Sequence, residues 1–323
     1  MKNILVAGAA GFIGARTAEL LLQKRGVRVT GLDNLNDYYD VRLKKYRLKQ
    51  LLPYKEFTFH KIDIENREAL RRLFRAGKFD AVINLAARAG VRYSVLNPHI
   101  YVSTNVGGNI NLLEMCREFG VKKFVMASTS SLYAGQKMPF SEKADVSTPI
   151  SPYAATKKAA EVSAYTYHYL YGIDVSILRY FTVYGPAARP DMSILRFIKW
   201  IQEGKTVLLY GDGRQQRDFT HVDDIARGTV SALKRLKFEI INLGNHRPHA
   251  MLTMIRLMEE GLGKKAKIKR LPLPKTDMLR TWADICKARK ILRWEPKISF
   301  EEGIRKTVQW HLANAKFVQK LKV

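Results

Sequence analysis

Lys2-Asn-Ile-Leu-Val-Ala-Gly8-Ala-Ala-Gly11-Phe-Ile-Gly14 is the stretch on which the fold turns. Its first half is a short apolar run, the pattern of a strand buried on both faces. Its second half carries Gly8, Gly11 and Gly14, and the residues from there to Lys24 have apolar side chains at helical spacing. Strand, glycine-rich turn and helix in direct succession are the setting of a dinucleotide-binding fingerprint, here spaced GxxGxxG. In that reading Gly8 permits the tight turn, Gly11 lets a pyrophosphate approach the backbone, and Gly14 lets the helix pack on the strand. Phe12 and Ile13, between the last two glycines, belong to the same set. A second strand-like run, Arg28-Val-Thr-Gly-Leu-Asp33, ends in a carboxylate. At about twenty residues from the glycines, an Asp hydrogen-bonds ribose hydroxyls and repels a 2′-phosphate, so NAD is expected rather than NADP.

The alternation continues outward from this unit. Strands are expected at 57–63, 81–87, 124–128 and 174–179, and helices at 67–75, 99–118 and 153–171. Near-continuous apolar strands alternating with helices argue an α/β fold with a Rossmann-type, doubly wound parallel sheet. After Arg179 the rhythm breaks at Tyr184-Gly-Pro and Arg189-Pro. A helix near 193–203, strands at 207–210 and 239–244, and a helix near 253–262 follow. The expected organisation is a NAD-binding domain over 1–179, with a returning segment near 218–245. Residues 180–323 form mainly a smaller α/β substrate-binding lobe, interleaved with it.

Ser151-Pro-Tyr-Ala-Ala-Thr-Lys157 adds chemistry to this frame. Ser at an N-cap followed by Pro is a helix start, so Tyr153 and Lys157 lie four residues apart on one face. Two unit charges about 4 Å apart interact by roughly 4 kcal/mol at an effective dielectric of about 20. That suffices to bring a phenol from about 10 toward neutrality, where it is a usable general base.

The 323 residues, 46% of them hydrophobic, are enough for one large domain or two ordinary ones with full cores. No apolar run reaches membrane-spanning length and no signal-peptide layout precedes the first strand, so no membrane association and a cytoplasmic location are expected. Cys116 and Cys286 are too few for a disulfide framework, and the seven histidines form no metal-binding pattern, so no metal is expected. The net charge of +27 gathers at Arg42, Lys44, Lys45, Arg47 and Lys49, at 264–270, and at Lys316, Lys320 and Lys322. Such a field attracts polyanions, but no module with interleaved stacking aromatics accompanies it. Solvated helix faces explain it better than a specific nucleic-acid partner.

With GxxGxxG, Asp33 and Tyr-x-x-x-Lys in one chain, the sequence resembles the extended short-chain dehydrogenase/reductase superfamily. It is similar in particular to the nucleotide-sugar epimerases, and among them to the UDP-glucuronate 4-epimerases. The motifs carrying this are Gly31-Leu-Asp-Asn-Leu-Asn-Asp-Tyr-Tyr-Asp40, Ala89-Gly-Val-Arg-Tyr-Ser94 with Asn97-Pro98, and Ala127-Ser-Thr-Ser-Ser-Leu-Tyr133. Phe181-Thr-Val-Tyr-Gly-Pro186, Arg189-Pro-Asp-Met192 and Gln216-Arg-Asp-Phe-Thr-His-Val-Asp-Asp224 complete them, so the resemblance covers essentially the whole chain. It implies Tyr153 as base, Lys157 as its partner and holder of the nicotinamide ribose, and Thr129 as third catalytic residue. It further implies Asn34, Asn36, Asp63, Ile64, Leu85, Ala86, Ala87 and Asn105 around NAD. On the substrate side it implies Arg92, Arg189, Arg196, Arg217, Asp277 and Arg280 around a UDP-sugar. Thr182 stands where many members have Asn, and with Ser130 and Ser131 it gives the small hydroxyls of the glucuronate branch.

The implied reaction is C4 epimerisation through a 4-keto sugar with NAD held throughout. Related decarboxylases and 4,6-dehydratases carry an acidic residue after the catalytic Thr, where this chain has Ser130 and Ser131. Two enzyme alternatives remain, a UDP-glucose/UDP-galactose 4-epimerase and a UDP-glucuronate decarboxylase. A third is a basic nucleic-acid-binding protein on a Rossmann scaffold, which absence of bound NAD would favour. The family is commonly a homodimer that pairs two helices per subunit, by position 99–118 and 153–171.

Overall fold

A computed structural model describes residues 1–274 and 277–322. In chain order its strands are β1 (Lys2–Ala7), β2 (Val27–Leu32), β3 (Phe57–His60), β4 (Ala81–Asn84), β5 (Lys123–Thr129) and β6 (Asp174–Tyr180). Then come β7 (Thr182–Tyr184), β8 (Thr206–Tyr210), β9 (Gln216–His221), β10 (Phe238–Leu243), β11 (Pro248–Ala250) and β12 (Lys267–Leu271). Seven of them form one sheet in the order β10-β6-β5-β4-β1-β2-β3, every pair parallel. The direction of winding reverses between β1 and β4, and the crevice at the carboxyl ends of these strands is where such sheets bind ligands.

The apolar run of β1 has its reason in this arrangement. Ile4 and Val6 enter one layer of the core and Leu5 and Ala7 the other, and all four are buried. Leu112, Leu113 and Cys116 of the helix Asn109–Glu118 cover the second face. A third core joins Ile194, Phe197, Val207, Phe219, Met254 and Phe300 in the C-terminal part, around the helices Ser193–Gln202, Met251–Leu262 and Phe300–Ala313.

Several expected boundaries move for physical reasons. The strands foreseen at 57–63 and 81–87 stop at His60 and Asn84. Asp63 instead accepts from the Glu65 N–H at 2.9 Å in a turn, and Leu85 to Ala87 leave the sheet edge toward the crevice. The region 99–118 is helical but passes through a π-helical stretch, Val102–Gly108, a distortion that often marks functional positions. The segment 239–244 is β10, beside β6. The basic run after Asp40 is a helix, Val41–Leu51, capped by the Asp40 carboxylate on the Arg42 N–H. Its Lys44 and Arg47 are buried rather than solvated. Helix Val222–Ser231 and strand β9 also lay outside the sequence-based assignment, because Gln216-Arg-Asp-Phe-Thr-His221 mixes charge with only one large apolar residue.

Candidate active site

Gly8 holds φ +81°, and a Cβ there would meet the Ala86 nitrogen and the Leu85 carbonyl carbon at 2.8 Å. A Cβ on Gly14 would overlap the Gly8 carbonyl oxygen, so helix and turn can close only with glycine at both places. Helix Phe12–Leu22 begins at Gly11 with no side-chain cap. Its first N–H groups, those of Phe12 and Ile13 among them, are free at the positive end of the helix dipole, a ready site for a pyrophosphate. Asp33 is buried directly after β2, where a carboxylate suits a ribose. Asn34 donates to Asp63 at 2.7 Å, and Asn36 donates to Asn34 at 2.7 Å. Those three side chains therefore hold one another at the rim of the crevice. Ile64 is buried in the second core layer, and Leu85 to Ala87 are half-buried directly after β4. These observations fit NAD.

Asn105, inside the π-helical stretch, is buried and saturated. Its Oδ1 accepts from the Arg88 N–H at 2.8 Å, and its Nδ2 donates to the Arg88 carbonyl at 3.0 Å and to Thr156 Oγ1 at 3.1 Å. It thus fastens the segment after β4 to the helix Pro152–Tyr171.

That helix starts as its sequence requires, with Ser151 Oγ accepting from the Ala154 N–H at 3.2 Å and Pro152 in the first turn. The Tyr153 N–H donates to Ser94 Oγ at 3.1 Å, fastening the first turn to the short helix Val91–Leu96. Lys157 is buried, and burial pushes its amine down to about 8 against the opposing pull of Glu161. Burial raises Tyr153 above the usual phenol value, with the Thr129 hydroxyl and the Arg189 guanidinium acting against that rise. Lys157 is not among the groups that act on this phenol, so the direction expected from its charge is not seen, and loss of water sets the shift instead.

Thr129 closes β5 opposite Tyr180 and caps the 3₁₀ turn Ser130–Tyr133, its Oγ1 accepting from the Ser131 N–H at 3.1 Å. Ser130 is buried in that turn, and Thr182 follows two residues beyond Tyr180. Arg189 pairs with Asp191 and donates to the Ala89 carbonyl at 3.3 Å, which brings its charge to bear on Tyr153.

A second group of residues gathers around Arg92 and Asp277. Arg92 donates to Asp277 at 2.9 Å and lies 4.0 Å from the Tyr210 ring centroid. Burial, then the charge of Arg92, push Arg217 below its ordinary value, while Asp277 acts the other way. Arg196 is lowered likewise by burial and by Arg92, and its Nε is buried without a partner. Arg92 thus bears on both Arg217 and Arg196, and with Asp277 beside Arg217 and Asp191 acting on Arg196 the cluster holds more cations than carboxylates. Arg280 is exposed and lies 4.9 Å from the Trp282 ring centroid, with its backbone bridged to Gln216 beside Arg217.

Sequence reasoning missed Lys44, Tyr38 and Tyr210. The Lys44 amine lies 3.5 Å from Asp33 and 3.1 Å from Asn36 Oδ1. Its signal was the Asp40 cap followed by Leu43 and Leu48. The Tyr38 hydroxyl donates to the Ala89 carbonyl and meets the Tyr101 hydroxyl at 3.2 Å, so it closes the loop over the crevice.

Residues 5–307 match the GDP-mannose 4,6 dehydratase family. The UDP-glucuronate 4-epimerase of Thermodesulfobacterium geofontis is 57% identical over 324 residues, 100% of both chains. The crystal structure of UDP-glucuronic acid 4-epimerase from Bacillus cereus, in complex with UDP-glucuronic acid and NAD, is similar with a TM-score of 0.91. That match is 37% identical and covers 96% of this chain and 99% of that one. UDP-glucose 4-epimerase of Thermotoga maritima, with UDP-glucose, gives a TM-score of 0.87 at 31% identity, covering 97% and 99%.

Proposed function

The chain belongs to the GDP-mannose 4,6-dehydratase family of extended short-chain dehydrogenases/reductases, and we propose that it interconverts UDP-glucuronate and UDP-galacturonate with NAD as resident cofactor. The carrying observation is the 3₁₀ turn after Thr129, in which Ser130 and Ser131 stand where an acid or base for elimination would be needed. The Gly8–Gly14 turn and Asp33 would hold NAD, which would supply the acceptor for the hydride of sugar C4 and its donor to the opposite face of the 4-ketone. Tyr153 removes the proton of the sugar 4-hydroxyl and restores it later. Thr129 bridges that hydroxyl and the phenol, and Lys157 supplies the adjacent positive charge. Arg92, Arg196 and Arg217 grip the diphosphate, for which an arginine fork is well shaped, with Asp277 at the nucleotide ribose and Arg280 at the rim.

The 4-keto form of glucuronate is a β-keto acid, which loses CO₂ when its carboxylate bond stands perpendicular to the carbonyl plane. Ser130 and Thr182 hold the carboxylate out of that geometry by hydroxyl hydrogen bonds. UDP-glucuronate incubated with the protein, without added NAD, should yield UDP-galacturonate. Unchanged substrate would refute the assignment, and CO₂ with a pentose product would replace it with decarboxylation. A glucose-form substrate turned over faster than the glucuronate form would replace it with a neutral-sugar epimerase.

Two further features belong to this reading. Val162, Tyr165 and Tyr169 form an exposed apolar stripe on the helix Pro152–Tyr171, with Val102 exposed on the neighbouring helical segment. A homodimer pairing these helices would cover them. Residues 1–179 with the return near 218–245 act as the cofactor-binding part, and the remainder as the substrate-binding part. No described helix is long and apolar enough to cross a membrane, and a nucleotide-sugar substrate suits a cytoplasmic enzyme.

A further inference from the structure

Behind the proton-transfer residues lies a charged cluster shut off from solvent. Glu161, one helical turn beyond Lys157 and two beyond Tyr153, is 2% exposed, and Arg179 of β6 is 1% exposed. Arg179 donates to both carboxylate oxygens, from Nε at 2.9 Å and from Nη2 at 2.7 Å. Ser128, which precedes Thr129 on β5, donates to the same carboxylate at 2.5 Å. Nη1 of Arg179 donates to the Tyr133 hydroxyl at 2.8 Å, and that hydroxyl donates to Asn242 of β10 at 2.8 Å. One carboxylate thus joins β5, β6, the 3₁₀ turn and β10 to the helix that carries Tyr153 and Lys157.

Stability alone is a poor reason for such a pair. Buried ion pairs are often matched or surpassed by hydrocarbon of the same volume. Its placement gives a better one. Around Lys157 and this pair stand Tyr153 on the same helix, Ser128 and Thr129 on β5, and Arg179 on β6. Tyr133 faces them from the turn and Asn242 from β10, and Glu142 accepts from the Asn242 N–H at 2.8 Å. Asn105 holds Thr156 from the adjoining helix. Among these, Glu161 is the charged side chain that acts on Lys157, and it favours the ammonium.

We propose that Glu161, clamped bidentately by Arg179, is a positioning residue that keeps Lys157 charged and aligned beneath Tyr153 for the epimerisation. This inference rests on the reaction proposed above. The same clamp fixes Ser128, so Thr129 and Lys157 are set from a single carboxylate, and proton donor path and cation share one reference point.

The test is E161Q, which keeps the shape and removes the charge. Two measurements are made on E161Q and on the parental protein. One is kcat against pH with UDP-glucuronate. The other is titration of Lys157 by NMR of isotope-labelled lysine, its signal assigned with K157M. Lys157 should titrate about one pH unit lower in E161Q, and the alkaline limb of kcat should move with it, about a fivefold loss at pH 8. Activity should recover near pH 6.5, KM should change little, and E161D should restore most of the parental profile. R179Q, which leaves the carboxylate without its counter-cation, should move both readouts upward, and it serves if E161Q does not fold. An unmoved Lys157 titration in either folded variant overturns the proposal. A parental protein without epimerase activity would defeat the functional reading alone, since the NMR titration still decides the role of Glu161.

Discussion

Replacing Lys157 with Met should make the protein more stable at pH 7 and should confer no such advantage near pH 11. Lys157 is 5% exposed, and burial holds its amine at about 8, whereas a lysine in an unfolded chain titrates near about 10.4. Below about pH 8 the amine is charged in both states, and the folded state bears the full burden of burying it. Between about 8 and about 10.4 the unfolded chain binds more protons, so stability rises with pH. Above that window both states are neutral and the burden is gone. At about 1.4 kcal/mol per pH unit the burden comes to about 3 kcal/mol. For a chain of this size that corresponds to about 4–5 °C in Tm. Met has a similar length and no charge to desolvate, so the variant lacks this pH-dependent term. The assay is guanidinium unfolding of parent and variant side by side, without added nucleotide, at pH 7, 8, 9 and 10. Subtracting one curve from the other cancels the other titrating groups. A stability difference that stays constant across that range would refute the burial argument, and a parent more stable than K157M at pH 7 would reverse it.

Y153F should lower kcat by about 10²- to 10⁴-fold, the range of a lost acid–base group, with UDP binding by calorimetry within a few-fold of the parent. A variant retaining a tenth of the activity would move the base elsewhere. R217M should weaken UDP binding by about ten- to a hundredfold, the equivalent of one or two charge-assisted hydrogen bonds, and the loss should shrink as salt rises. An unchanged dissociation constant would remove Arg217 from the diphosphate site. Tyr165 and Tyr169, 50% and 75% exposed, are the positions to test for the dimer. The double variant Y165E/Y169E should elute as a monomer by size exclusion with light scattering, and a dimer of unchanged mass would place the interface on another face.

The parts of this fold that were legible in the sequence are those in which one local rule dominates. Gly8, Gly11 and Gly14 announce themselves because a Cβ at Gly8 would strike the segment after β4 and one at Gly11 or Gly14 would strike the Gly8 carbonyl. The runs of β1 and β4 are apolar throughout because helices cover both faces of the sheet. Ser151 and Pro152 mark a helix start by capping chemistry alone. What escaped was set by distant partners. Lys44 looks like one cation in a basic run until Asp33 and Asn36 are seen beside it, eleven and eight residues away. Arg92 and Asp277 are separated by 185 residues, and no local pattern announces that they meet. β9 was unreadable because Asp218, Thr220 and His221 are buried through hydrogen bonds rather than through apolar matter.

The mismatch at Tyr153 narrows what the site must do. From spacing alone, Lys157 was expected to lower the phenol; in the folded protein burial raises the phenol and lowers the amine. These two shifts have one cause. Each penalises a single charge placed in a dry crevice, and each favours a neutral form. A phenolate beside an ammonium is different, because the two charges offset one another and little net charge has to be desolvated. The roughly 4 kcal/mol available to such a pair at about 4 Å and an effective dielectric of about 20 would be realised only with both groups ionised together. The ionised Tyr153 that removes the substrate proton is therefore a property of the pair and its surroundings, Thr129 and Arg189 on one side and Glu161 on the other. Removing any of these groups should disturb proton transfer more than substrate binding, whereas removing Arg217 should do the reverse.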